Sequence, residues 1–220
     1  MLEALKEEVC EQNHALPLAG LVVGSGGNVS ARDPETGLIV IKPSGVKFAK
    51  LTPETMVVVD ADGTVVEGNM KPSVDTGVHC YIYTHRPDVF GITHTHSPYA
   101  TSFAARGERI PAVLTPITHF LGRDVPCARY AAPGYVETGK AIIEAAEGGW
   151  AVLARAHGVF TMGTSATEAT SIAMYLEEAA KTVHLAMTRG AVEELSPEEI
   201  QRCYDWFHDC YGQKAKKSSE

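Results

Sequence analysis

The sequence predicts an α/β fold with a single domain, in which helices flank a central, mostly antiparallel sheet. Three observations support this prediction. The 220 residues, 45% hydrophobic and 21% charged, are enough for one sizeable core. Apolar residues with helical spacing alternate with short runs rich in β-branched residues. Hairpin signals between these short runs dominate over the long crossovers that parallel strands require.

The first third of the chain is predicted to supply one helix and the first strands. Leu2, Leu5 and Val9 recur at helical spacing, and Pro17 is predicted to end that helix. A Gly-rich turn then leads into a polar strand, and the run LIVIK, residues 38–42, predicts the next strand. The run MVVVDADGTVVEG predicts a hairpin around DADG.

The rest of the chain alternates helices with strands. The run GITHT and the pair WAVLARA and VFTMG predict strands, the last two being neighbours around a turn at His-Gly. Capping boxes at Ser165 with Glu168 and at Ser196 with Glu199 mark the starts of the last two helices. The segment from residue 110 to 130 has no clear period. The predicted helices, with approximate ends, are Val74 to His85, Pro98 to Arg106, Val136 to Glu147, Ala166 to Arg189, and one that begins at Pro197.

Charge and cysteine content argue against several classes of protein. The net charge is -8, and Lys and Arg are scattered except in the KAKK tail, so no nucleic-acid partner is expected. No leading apolar segment has the length of a signal peptide or membrane span, which predicts a cytoplasmic protein without a membrane partner. Five cysteines, an odd number, are expected to be reduced thiols. The basic tail, residues 214–220, is expected to be disordered.

Two histidines two residues apart give the first indication of chemistry. Side chains alternate along a strand, so His94 and His96 in GITHTHSPYA point to the same side. Buried together, two imidazoles need partners or repel each other once charged, and a shared metal ion is the simplest explanation. Two polar residues on a solvent-facing strand are the alternative.

Further candidate ligands lie elsewhere in the sequence. His157 precedes Gly158 in RAHGVF, where glycine permits a tight turn that leaves the imidazole projecting from a strand end. Three histidines and an open position are typical of a catalytic metal site. Asp75 is a candidate fourth ligand or a base beside the ion, or it caps a helix. His79, one turn later, could be a ligand or could support one.

Two segments are candidate anion sites. The run GSGGNVS, residues 24–30, offers unblocked backbone N–H groups and Asn28. The run KPSGV, residues 42–46, ends a strand with Ser44 and Gly45, where amide dipoles can point at a phosphate. Each segment by itself is equally typical of an ordinary hairpin turn.

An ordered set of strings resembles one family along nearly the whole chain. The strings GNVSAR, IKPSGV, KPSVDT, HTHSPYA, IPA, VPCARY, HGVF and YGQ together resemble the class II aldolase/adducin family. The resemblance implies a three-layer α/β/α catalytic domain over residues 1–213. It also implies one divalent ion per subunit, zinc with manganese and cobalt as alternatives, held by Asp75, His94, His96 and His157. Asp at position 75, where aldolases carry Glu, favours the epimerase branch, which interconverts L-ribulose 5-phosphate and D-xylulose 5-phosphate.

The resemblance implies further roles for individual residues. A phosphate site would be formed by Asn28, Ser44, Gly45 and Ser73, and Tyr211 would act in proton transfer. Family members are homotetramers with active sites between subunits, so Tyr211 would serve a neighbouring chain.

Two positions depart from the epimerase pattern. His119 stands where the epimerases carry a catalytic Asp, so His119 becomes the candidate proton-transfer residue, with Asp124 as a weaker alternative. Val74 replaces a serine whose hydroxyl would face the phosphate. Arg155 could restore positive charge near the site or lie on an outer face.

Three functions follow as hypotheses. The first is a sugar-phosphate epimerase that works by retro-aldol chemistry, which Asp75 and the strings IKPSG and YGQ support. The second is an aldolase that cleaves a ketose or ketose phosphate to a dihydroxyacetone-type fragment and an aldehyde, as His119 and Val74 suggest. The third is a non-catalytic, adducin-like binding module, against which the intact set of three histidines argues.

Overall fold

An eight-stranded sheet lies at the centre of the fold in a computed structural model, which describes residues 2–212. The strand order is β4-β3-β2-β1-β5-β8-β7-β6, and all pairs are antiparallel except β6 with β7. The strands are β1 Asn28–Arg32, β2 Ile39–Ile41, β3 Val57–Val59, β4 Val65–Glu67, β5 Gly91–Thr95, β6 Cys127–Ala128, β7 Ala151–Ala154 and β8 Gly158–Gly163. The predicted single α/β domain with a mostly antiparallel sheet is confirmed.

Seven α-helices flank the sheet in the described part of the chain. Their bounds are α1 Glu3–Leu18, α2 Thr76–His85, α3 Pro98–Arg106, α4 Thr115–Leu121, α5 Val136–Ala146, α6 Ala166–Met187 and α7 Pro197–Cys210. None of the helices among residues 2–212 is both long and apolar enough to cross a membrane. The tail of residues 214–220, for which disorder was predicted, lies outside the described residues, as does the end of the predicted catalytic domain at residue 213.

The sheet separates two apolar layers because side chains alternate along each strand. Ile39 and Ile41 pack with α2 and α5 on one face, whereas Val40 between them packs with α1 on the other. A further cluster on the α1 face joins α3, α4 and α6 to β7 and β8. On β1 the α2 face carries polar residues instead, Asn28 and Ser30, and both are buried.

Two predictions about helix ends need correction, whereas the second capping box and the reduced cysteines are as predicted. Pro17 lies inside the last turn of α1, and the helix continues to Leu18. The reciprocal capping box predicted at Ser165 is only half formed: Ser165 accepts from the Glu168 N–H, but the Glu168 carboxylate bonds to Thr164. The box at Ser196 is complete. All five cysteines are unbridged.

The segment without a clear period folds into α4 and the short strand β6. Among the described residues, no side chain caps the start of α4, whose seven residues begin with Thr115 and Pro116. β6 has only two residues, and it pairs with β7 in parallel. Such short elements are too brief to produce a readable period, which explains why the sequence did not predict them.

Candidate metal centre

Three imidazoles meet at the C-terminal end of β5, an inner strand of the sheet. The candidate ligand atoms of His94, His96 and His157 all lie within 4.8 Å of one another. His94 is the last but one residue of β5, His96 follows that strand, and His157 lies in the hairpin between β7 and β8. The strands β5 and β8 are hydrogen-bonded neighbours, so residues far apart in sequence become adjacent. The expected convergence of these histidines is present.

The backbone conformation of the hairpin differs from the expected one. Gly158 was expected to provide the special turn conformation, but the positive φ, 56°, belongs to Ala156. Gly158 is needed for close approach instead. A Cβ at that position would lie 2.4 Å from the Thr95 carbonyl oxygen and 2.9 Å from Cδ2 of His96. The absence of a side chain at residue 158 lets the hairpin pack directly against the histidine pair.

The protonation states of the histidines suit metal binding. Burial lowers the pKa of His94 to about 3, and partial desolvation also lowers the pKa of His96 and of His157. These imidazoles are therefore neutral, which leaves one lone pair on each ring. His94 Nδ1 lies 2.9 Å from the Val159 carbonyl oxygen, which fixes its proton on Nδ1 and frees Nε2. A neutral imidazole whose second nitrogen bonds a carbonyl is the usual form of a metal-binding histidine.

Asp75 is buried beside the histidines and does not cap its helix through its side chain. Asp75 stands at the N-cap of α2, but its carboxylate accepts a hydrogen bond of 2.8 Å from Asn28 Nδ2. Burial alone would raise the pKa of Asp75, but the hydrogen bond that its carboxylate accepts from the Asn28 amide favours the charged form and helps to hold the pKa below its usual value. The carboxylate is therefore charged, as a ligand or an electrostatic partner of a cation must be.

The two glycine-containing segments lie next to this centre. A Cβ at Gly26 would lie 3.2 Å from His96 Nδ1, so the Gly-rich turn packs against the histidines. The second segment is paired with the chain before α2: Ser44 N–H donates to the Lys71 carbonyl, and Ser73 N–H donates to the Lys42 carbonyl. Asn28 connects both regions, because its amide donates to Ser73 Oγ at 3.1 Å as well as to Asp75.

Lys42 was not among the candidate site residues predicted from the sequence. Its side chain is buried, and Nζ donates to the Ser25 carbonyl at 3.1 Å. Burial lowers the pKa of Lys42, and the charge of Asp75 opposes this shift. A buried cation between the two glycine-containing segments is suited to holding an anion. Its position at a strand end before Pro-Ser-Gly was the only available signal.

His119 and Tyr211 lie together in a separate part of the chain. They line a cavity of about 320 Å³ between α4, α6 and α7, and no candidate metal ligand lines that cavity. Phe207 stands between them, with ring centroids 4.9 Å from His119 and 4.5 Å from Tyr211. Within one chain, the candidate proton-transfer residues are therefore not next to the candidate metal ligands.

The remaining candidates occupy peripheral positions. Asp124 is paired with Arg109, with an N–O distance of 3.2 Å. Arg155 is exposed and packs against Gly107, which supports its outer-face alternative. Val74 is 65% exposed and lies two residues before α2, which begins at Thr76 and not at Val74 as predicted.

The fold and this centre together define the class of the protein: an α/β domain with a three-histidine candidate metal site at the end of an inner strand. Residues 7–184 match the family described as the Class II Aldolase and Adducin N-terminal domain, and the chain belongs to this family. It is 40% identical to the L-ribulose-5-phosphate 4-epimerase UlaF of Salmonella paratyphi C (strain RKS4594), with 89% of this chain and 90% of that protein covered.

Solved structures give the same result. An L-fuculose 1-phosphate aldolase superposes with a TM-score of 0.89 at 34% identity, covering 93% of this chain and 96% of that one. YgbL from Klebsiella pneumoniae superposes with a TM-score of 0.82 at 28% identity, covering 92% and 99%. The resemblance inferred from the ordered strings is confirmed.

Proposed function

We propose that this chain is a metal-dependent epimerase of the retro-aldol type, which converts L-ribulose 5-phosphate to D-xylulose 5-phosphate. The observation that carries the proposal is the convergence of three neutral imidazoles beside a charged, buried Asp75. The 40% identity to an L-ribulose-5-phosphate 4-epimerase supports the choice of substrate.

We propose that His94, His96, His157 and Asp75 hold one divalent ion, zinc with manganese and cobalt as alternatives. The donor set fits such an ion, because imidazole nitrogen and carboxylate oxygen suit all three metals. The freed Nε2 of His94 and the 3.3 Å separation between His96 Nε2 and His157 Nε2 are compatible with a shared cation. When bound, such an ion acts as a Lewis acid that stabilises negative charge on the ketose oxygens.

The phosphate group is proposed to bind between the glycine-containing segments. Ser44, Gly45 and Ser73 lie there, and Lys42 supplies a positive charge. Asn28 would link the two ends of the substrate, because its amide already contacts both Ser73 and Asp75. Substrate held at both ends places the C3–C4 bond between fixed groups, which lowers the entropic cost of the reaction.

Epimerisation at C4 requires two proton transfers on opposite faces of the aldehyde. A base removes the C4 hydroxyl proton, the C3–C4 bond breaks, and the electron pair stays on the three-carbon fragment, next to its carbonyl. The aldehyde rotates, the bond forms again on its other face, and an acid returns the proton. His119 and Tyr211 are our candidates for this pair, and partial burial lowers the pKa of His119, which favours its neutral, proton-accepting form.

The separation of these two residues from the metal ligands supports a shared site. His119 and Tyr211 would reach the ion bound by a neighbouring subunit, and we therefore propose a homotetramer with its sites at subunit interfaces. Exposed apolar side chains on α7 and near the start of α5, such as Trp206 and Tyr135, are compatible with burial between subunits.

The function can be tested with the protein loaded with Zn²⁺ or Mn²⁺ and supplied with L-ribulose 5-phosphate. Formation of D-xylulose 5-phosphate without free aldehyde supports the proposal, and no conversion with either metal would contradict it. His157→Ala should abolish both stoichiometric metal binding and turnover. His184→Ala, at an exposed histidine of α6, is the matched control and should leave both unchanged.

An aldolase is the second candidate, because the L-fuculose 1-phosphate aldolase is close in structure and His119 replaces the expected Asp. The same experiment distinguishes the two functions. Release of glycolaldehyde phosphate and dihydroxyacetone identifies an aldolase, since an epimerase holds both fragments until they recombine. A protein that binds no metal by elemental analysis would instead favour the adducin-like binding module.

A further inference from the structure

A line of buried polar side chains lies between the sheet and α2, beside the candidate metal centre. The Tyr83 hydroxyl lies 2.8 Å from Ser30 Oγ, and Ser30 Oγ lies 2.7 Å from His79 Nδ1. The exposed fractions of Tyr83, Ser30 and His79 are 2%, 0% and 0%. The chemistry proposed above uses none of these three residues, although burying polar groups is costly.

The hydrogen-bond order in this line determines which nitrogen of His79 carries the proton. The order in which Tyr83 donates to Ser30 and Ser30 donates to His79 Nδ1 gives each of the two buried hydroxyl protons an acceptor. The His79 proton then lies on Nε2. The reverse order would leave the buried Tyr83 proton without that acceptor, and it would add an imidazole lone pair to a region that already holds the Asp75 charge.

The geometry of the two elements brings His79 close to Asp75. The two residues are one helical turn apart on α2, and their partners Asn28 and Ser30 lie two residues apart on one face of β1. Within residues 2–212, His79 Nε2 and Asn28 Oδ1 are both buried and have no hydrogen-bonding partner. One is a donor and the other an acceptor, so they are complementary.

We propose that His79 is a positioning residue for Asp75. Its Nε2–H donates to the Asp75–Asn28 pair through one bound water, and thereby fixes the orientation of the Asp75 carboxylate toward the metal ion. Tyr83 and Ser30 hold the imidazole in the required tautomer. This inference rests on the proposed function, because it assumes that Asp75 is a metal ligand.

Titration of the metal-free protein with Co²⁺, followed by visible absorption, tests the inference without any activity measurement. His79→Leu removes the donor and should weaken Co²⁺ binding about tenfold or more. His79→Gln keeps an N–H donor of similar reach and should bind Co²⁺ within about threefold of the wild type. Asp75→Ala tests the proposed function separately, because it should weaken binding whether or not His79 contributes.

A matched control removes a different buried hydrogen bond, on β5, the strand next to β1. Thr93 Oγ1 lies 3.0 Å from Thr170 Oγ1 on the opposite face of β5, so Thr93→Val should lower stability without changing Co²⁺ affinity. If His79→Leu binds Co²⁺ as tightly as Thr93→Val, the inference is wrong. If Asp75→Ala binds Co²⁺ weakly in the same experiment, the proposed role of Asp75 as a metal ligand remains supported.

The tautomer gives a second test that does not require the leucine variant to fold. In ¹⁵N-labelled protein, long-range ¹H–¹⁵N spectra should show His79 protonated at Nε2. Tyr83→Phe removes the donor to Ser30 and should add a population protonated at Nδ1, together with weaker Co²⁺ binding. A wild-type His79 protonated at Nδ1 would overturn the inference.

Discussion

At the scale of single residues, Lys42 combines a cost in stability with a proposed role in binding. Its ammonium group is buried, which is expensive, and its contact with the Ser25 carbonyl recovers part of that cost. We expect Lys42→Met to leave the free energy of unfolding within about 1 kcal/mol of the wild type. The KM for a phosphorylated ketose should rise tenfold or more, since a hydrogen bond from a charged group contributes about 1.5–3 kcal/mol.

Lys47→Met is the matched control for this prediction. It removes the same charge from an exposed position five residues away, and its KM should stay close to that of the wild type. Steady-state kinetics and thermal unfolding of both variants measure the two effects. An equal rise in KM for both variants would mean that net charge, and not the buried position of Lys42, governs phosphate binding.

His79 makes the stability of the metal-free protein depend on pH. Burial lowers the pKa of His79 to about 4, compared with 6.5 for an exposed histidine. Between these values the unfolded chain binds a proton that the native state does not, so stability falls as the pH is lowered from 6.5 toward 4. The loss attributable to His79 is at most about 3 kcal/mol over this window.

His94 shifts in the same direction, so the wild type alone cannot isolate the contribution of His79. Urea unfolding of the metal-free wild type and of His79→Gln at several pH values separates the contribution of His79 from that of His94, because glutamine does not titrate. The difference in unfolding free energy between the two proteins should change by up to about 3 kcal/mol from pH 7 to pH 4. A difference that stays constant over this range would contradict the prediction.

Individual residues also show how much of the site the sequence could predict. The spacing of His94 and His96 on one strand indicated a metal, because strand periodicity alone puts both rings on one side. Lys42 could not be singled out, since only the folded chain shows that its ammonium group is buried. Asp75 was predicted to be a ligand, a base or a helix cap, and only the structure shows that its carboxylate accepts a hydrogen bond from Asn28 and does not cap the helix.

At the scale of elements, the β7–β8 hairpin depends on one glycine. In Gly158→Ala, the added Cβ would contact the Thr95 carbonyl and the His96 ring at distances that real Cβ atoms essentially never show. The hairpin must then move away from β5 and carry His157 with it. We expect a loss of about 1–3 kcal/mol in unfolding free energy and a loss of tenfold or more in Co²⁺ affinity.

Gly77→Ala is a suitable control for the hairpin variant. Its Cβ would meet only Val136 Cγ2, at 3.9 Å, and alanine favours the helix that contains it. The control should keep its Co²⁺ affinity and gain slightly in stability. Isothermal titration and thermal unfolding measure both quantities. If Gly158→Ala bound Co²⁺ as tightly as Gly77→Ala, the close packing of the hairpin would not be needed for the site.

The elements also explain which parts of the fold were predictable. Long helices such as α6 have a clear apolar stripe and a capping residue, so their existence and their ends could be predicted within about two residues. α4 and β6 are too short for any period, and β6 is defined only by its pairing with β7. The sequence therefore predicted the long helices and the main strands better than it predicted the segment that carries His119.

Within one chain, the candidate metal ligands lie apart from the cavity that His119 and Tyr211 line. If each site combines the metal ligands of one subunit with the proton-transfer residues of its neighbour, two inactive variants should complement each other. His157→Ala lacks a metal ligand, and Tyr211→Phe lacks the proposed proton-transfer group. If the proposed homotetramer assembles at random from the two variants, about one quarter of the sites receive both intact halves, since each half is intact with a probability of about one half.

Co-expression of the two variants, followed by activity measurement per site, tests this prediction. We expect each variant alone to be nearly inactive and the mixture to recover about a quarter of the wild-type activity under random assembly. The control is a mixture of wild type with the double variant His157→Ala/Tyr211→Phe, in which both changes lie in one chain. If sites are shared, an intact site in this mixture again requires two neighbouring wild-type subunits, and about a quarter of the activity is expected. If each chain built its site alone, the mixture of single variants would stay inactive, whereas the control mixture would retain half of the wild-type activity.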